Sequence, residues 1–148
     1  MNMYEINVEL RKELDEEDKK RIIKEIKSHQ NIDGIIASIF ALSKRDRISA
    51  DPKYLHNTFY SLKKKFPEIL IDFIFNESEV YHFSKLLERV FFRLQNAGII
   101  GMTNLKFDFF EITENARENI LQDFYEKYDE KKQEILQKMK EEFLILSP

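Results

Sequence analysis

Residues 79–97 spell out an amphipathic helix with a definite end. Val80, Phe83, Leu87, Val90, Phe91 and Leu94 recur at threes and fours, so they share one face. Gly98 is free to adopt the left-handed conformation that closes such a helix. Directly after it, 99–102 and 107–112 predict two short strands flanking Thr103 and Asn104, a hairpin. With only 3 Gly and 3 Pro in 148 residues, a many-turned all-β fold is excluded. The expected class is therefore mainly α, with a small β contribution (α+β).

The flanking segments supply further helices. In 16–30, Ile22, Ile23 and Ile26 share one face and the remainder is mostly charged. Asp33 has the chemistry of an N-cap and predicts a helix over 34–44 that is apolar on most sides, as a central core helix is. Asp51 followed by Pro52 predicts another over 52–65, stopped by Pro67. The apolar run 66–75 fits a buried helix or a strand, and the alternation of Tyr4, Ile6, Val8 and Leu10 competes with helical spacing of Ile6, Leu10 and Leu14. Thr113 caps a last helix that continues to about Leu146, roughly 45 Å if unbroken.

Three helices, a hairpin and a long helix follow the element order of a winged helix-turn-helix. Leu94-Gln95-Asn96-Ala97-Gly98-Ile99-Ile100 resembles the exit from the recognition helix of that family. Phe110-Glu111-Ile112-Thr113-Glu114-Asn115-Ala116-Arg117-Glu118 resembles the strand-to-helix exit from the wing in PadR-like and related DNA-binding regulators. The resemblance spans about 85 residues, from 33 to 118. It implies a winged-helix domain over 31–115 with a two-stranded wing, a helical N-terminal extension over 1–30, and a long C-terminal helix over 116–148. It also implies that the helix before the wing enters the DNA major groove and that the last helix builds a dimer.

Charge bears on this independently. The polar face of 79–97 carries His82, Lys85, Arg89, Arg93 and Asn96, with Lys85, Arg89 and Arg93 four apart in one cationic row. Such a row suits phosphates, and Arg or Asn suits base edges, although the same pattern describes a solvated helix face. The chain has a net charge of −3, yet 31–103 carries a local excess of +2 against −5 in the flanks. That excess sits at Lys44, Arg45 and Arg47 and at Lys63, Lys64 and Lys65. Either cluster suits a phosphate backbone, and Lys63–Lys65 equally suits the dipole of its own helix C-terminus.

The first expectation is thus a dimeric regulator bound to double-stranded DNA, with Lys106 at the hairpin tip as a further contact. For dimerisation the last helix offers Ile120, Phe124, Tyr128, Ile135, Met139 and Phe143 as an apolar stripe, interrupted by Lys131 and Lys132. The acidic Asp108 and Glu111 on the wing, the long segment 65–78 and Ala116 where the family commonly has Gly depart from the pattern. They support a second expectation, a non-catalytic adaptor (an antitoxin or assembly factor) that binds another protein, favoured if Tyr81, Phe92 and Phe109 cluster.

Catalysis is not expected. The chain lacks cysteine, a nucleophile elbow and any Gly-rich phosphate loop. Glu79 and His82 have half of a di-iron spacing without its second half, and His29 and His56 have no spaced zinc partner. No cofactor or metal is therefore implied. The longest apolar windows fall far short of the ~20 residues that cross a bilayer, which with the absent signal-peptide pattern predicts a cytoplasmic protein.

Overall fold

The computed structural model describes residues 16–77, 80–102, 106 and 108–146, and for 22–30 the backbone alone. The element order is α1 (Glu16–Leu42), β1 (Arg47–Ser49), α2 (Pro52–Lys65), α3 (Lys85–Asn96), β2 (Ile100–Gly101), β3 (Phe109–Ile112), α4 (Glu114–Lys127) and α5 (Glu130–Leu146). Contacts group the chain into 1–32 and 33–148. The expected strand or helix over 1–10 lies outside the described residues. In the first unit, Lys19 pairs with Glu16 and Arg21 with Asp18 on an exposed helical surface. No described helix is long and apolar enough to cross a membrane.

In the second unit a mainly helical α+β fold is built around aromatic rings. Phe40 of α1 stacks on Phe91 of α3 at 6.0 Å and contacts Phe59 of α2 and Phe143 of α5 at 6.4 and 5.7 Å. Phe110 of β3 continues the cluster onto Phe91 at 5.8 Å. Such pairs contribute about 0.5–1.5 kcal/mol each beyond area burial, so this cluster fixes the mutual placement of four helices and the sheet.

The sheet is antiparallel in the order β1-β3-β2, with Arg47 opposite Glu111, Ile48 opposite Phe110, and Ile100 opposite Ile112. Ile48, Ile100, Phe110 and Ile112 are buried while Phe109 and Arg47 face outward, the period-two pattern of a one-sided sheet. The hairpin of the sequence reading is here as β2 and β3. The third strand, β1, is not visible in the sequence because three residues carry too little pattern.

Three expected boundaries are corrected. Asp33 is no N-cap: α1 runs through it to Leu42. Gly34 inside a helix costs about 1 kcal/mol relative to Ala. Its missing side chain admits the Tyr128 hydroxyl, which would stand 2.9 Å from a Cβ there. The helix expected over 79–97 begins only at Lys85, and before it Asn76 and Phe83 form an isolated antiparallel bridge. Val80, assigned to the buried stripe, is 90% exposed.

The third correction concerns the last helix. It is two helices, broken at Tyr128 and Asp129, where the Asp129 carboxylate accepts the Lys132 amide at 2.8 Å and starts α5. Phe124, Met139 and Phe143 of the supposed dimer stripe are fully buried within the chain itself, and Tyr128, Ile120 and Ile135 are half-buried. The over-long last helix from which a two-fold partner was inferred is instead two helices of 14 and 17 residues.

Candidate nucleic-acid interface

α3 is held at both ends by polar contacts that leave its outer face bare. At its start the Ser84 hydroxyl accepts the Leu87 amide at 3.3 Å, a capping bond for an otherwise unpaired donor. The Ser84 amide in turn donates to Nδ1 of His56 at 3.0 Å. His56 is 2% exposed and stacks on Phe83 at 4.9 Å. Burial pushes its pKa down to about 4, so the ring is neutral near pH 7 and its Nδ1 remains an acceptor.

At the other end Ile99 donates to the Leu94 carbonyl and Gly98 to that of Gln95, with Gly98 at φ 73°. These are the two bonds of a Schellman closure, which the sequence announces through Gly98. The last turn is tied to α1 as well. Arg93 Nε and Nη2 donate to the two Asp33 oxygens, each at 2.8 Å, a bidentate pair. The Asp33 hydrogen bond raises the guanidinium pKa further and keeps it charged.

Between these anchors Leu87, Val90, Phe91 and Leu94 face inward. Lys85, Glu88, Arg89, Phe92 and Asn96 are exposed on the outer side. Among the described residues no carboxylate pairs with Lys85 or Arg89. Beside this face runs a cleft of about 820 Å³ whose walls include Pro52, Tyr81, Phe83, Lys85, Phe92 and Met102. Lys53, next to Pro52 and exposed, is a cation the sequence reading did not single out.

The other expected phosphate contacts are dispersed. Arg45 donates to the Leu144 carbonyl of α5 at 3.2 Å. Arg47 pairs with Glu111 across the sheet at 3.5 Å and lies over the Phe109 ring. Lys63 donates to the Phe73 carbonyl, Lys64 lies over the Tyr60 ring at 4.5 Å, and Lys65 meets Glu142 at 2.6 Å. Lys44 is exposed and adopts a left-handed φ of 56° where α1 ends, and Lys106 is exposed.

His82 is not on α3. It stacks on Tyr60 at 3.7 Å, and its amide donates to Asn57 Oδ1. Sequence reasoning missed the Asp33–Arg93 pair and the His56–Ser84 bond, because each joins residues 60 and 28 positions apart. Among the described residues no three His, Asp or Glu side chains are grouped as metal ligands. Comparison with protein-family models, curated proteins and solved structures finds no match to this chain.

Proposed function

We propose that this chain is a winged-helix DNA-binding regulator in which α3 enters the major groove. The observation that carries the reading is the outer face of α3, where Lys85, Arg89 and Asn96 are exposed on a helix whose opposite side is fixed in the core. The sheet order β1-β3-β2 and the position of α3 immediately before the β2–β3 hairpin support it. Lys85 and Arg89 supply charge for phosphates, while Asn96 has the donor and acceptor that adenine presents a match for. Lys44, Lys53 and Lys106 are further exposed cations that suit the backbone. Arg93 is not part of this set, because its charge is spent on Asp33.

A second reading, a protein-binding adaptor, is favoured by one specific observation: Tyr81 and Phe92 lie along the same cleft, and Phe92 is 63% exposed. An exposed aromatic beside a concave surface, with the half-buried Tyr81 next to it, suits a protein hot spot. Salt titration of binding to random duplex DNA decides between the two. A regulator binds at low salt with log affinity falling linearly against log salt, and replacing Lys85 and Arg89 by Ala lowers the slope by up to about 2. Absence of binding at low salt leaves the adaptor.

A further inference from the structure

We propose that Phe92 reads the methyl group of thymine in the major groove. The inference rests on the DNA-binding reading of α3 and specifies what that face recognises. Phe92 lies three residues after Arg89 and four before Asn96, so on a helix it stands between them on the same surface. Its ring is 63% exposed, whereas Phe91 beside it is buried. Among the described residues it pairs with no other aromatic ring, and it stands as a large exposed apolar group within a charged strip.

The remainder of the strip argues against a phosphate-facing position for it. Glu88, one turn earlier, is exposed and would be repelled by the backbone, yet a carboxylate is a suitable acceptor for a cytosine amino group. Glu88 and Phe92 therefore form an edge suited to bases, flanked by Lys85 and Arg89 as the edge suited to phosphates. In the major groove the apolar feature that a phenyl ring can recognise is the thymine C5-methyl. Met102 and Tyr81, on the walls of the adjoining cleft, extend the apolar surroundings of the ring.

The experiment selects duplexes of about 20 base pairs from a randomised pool on the full chain, then replaces each thymine of the recovered sequences singly by uracil, which removes the methyl alone. One thymine is expected whose replacement weakens wild-type binding about fourfold, the worth of one buried methyl. Phe92→Ala should bind the thymine and uracil duplexes equally while keeping the wild-type salt slope, and Phe92→Leu should retain part of the discrimination. If wild type ignores every replacement, or if Phe92→Ala still discriminates, the methyl-reading role is wrong while salt-dependent binding leaves the DNA reading standing. If the pool yields nothing and binding at low salt is absent, the DNA reading fails and this inference fails with it.

Discussion

Lys85 and Arg89 on one side, and Arg93 on the other, stand at the same four-residue spacing along α3, yet they meet different surroundings. The first two project from the helix with no carboxylate against them among the described residues. Arg93, a turn further on, meets Asp33 of α1 in a two-bond ion pair, with side-chain exposures of 33% and 21%. Helical spacing places all three in a row; the crossing of α1 decides which of them remains accessible. A cationic row in a sequence is therefore an upper bound on the charge a helix can present to an anionic partner.

The start and end of α3 are anchored by different chemistry, and acid should separate them. His56 at the start must be neutral to accept the Ser84 amide, and its pKa falls from 6.5 to about 4 on burial. Below pH 6.5 the unfolded chain takes up this proton while the folded chain does not. Stability is then complete above that pH and is lost toward pH 4. The expected loss is about 2 kcal/mol between pH 7 and pH 5, rising to about 3 kcal/mol by pH 4. Urea midpoints across this range measure it; an unchanged midpoint from pH 7 to pH 5 would show that His56 does not hold α3.

Removing Arg93 should come next in size. Arg93→Ala leaves the Asp33 carboxylate half-buried without its two donors, and the partial exposure of the pair moderates the cost to about 2 kcal/mol. Asp33→Ala should cost a similar amount, and the double variant little more than either single one, because both remove the same interaction. Additive losses in denaturant titrations would mean that the pair does not couple α1 to α3.

How far the sequence discloses such arrangements depends on the range of the interaction. Asp51–Pro52, Gly98 and Thr113 mark ends of elements through bonds to the nearest turn, and the structure places α2, the closure of α3 and the start of α4 where those residues indicate. Asp33 carries the same local chemistry as Asp51, but its carboxylate is engaged 60 positions away, so the helix passes through it. Ser84 caps α3, yet the chance spacing of Val80 and Phe83 extends the apolar period backwards past it. Lys63 and Lys65 were legible as basic and not as bound to Phe73 and Glu142. Of the candidate interface, Lys85, Arg89 and Asn96 were visible from periodicity alone. The loss of Arg93 from it required the tertiary fold.

Whether Asp33 can hold Arg93 at all depends on α1 continuing through Gly34, which a smaller effect tests. Gly34→Ala gains about 1 kcal/mol of helix propensity but sets a methyl 2.9 Å from the Tyr128 hydroxyl, so the net change should be near zero. With Tyr128→Phe the obstructing oxygen is gone, and Gly34→Ala in that background should stabilise by up to about 1 kcal/mol. Equal effects in both backgrounds would mean that Tyr128 does not approach Gly34.

The residues that matter most for binding should also change stability little. Lys85→Ala with Arg89→Ala removes two exposed side chains that make no ion pair among the described residues, so unfolding should shift by no more than about 0.5 kcal/mol. Ala has the higher helix propensity and the repulsion between two like charges is relieved, so neither effect predicts a loss. If the double variant keeps its urea midpoint while the salt slope of DNA binding falls, the charge was held for a partner. If instead it loses stability as Arg93→Ala does, Lys85 and Arg89 have intramolecular partners too, and the distinction between the two ends of the row disappears.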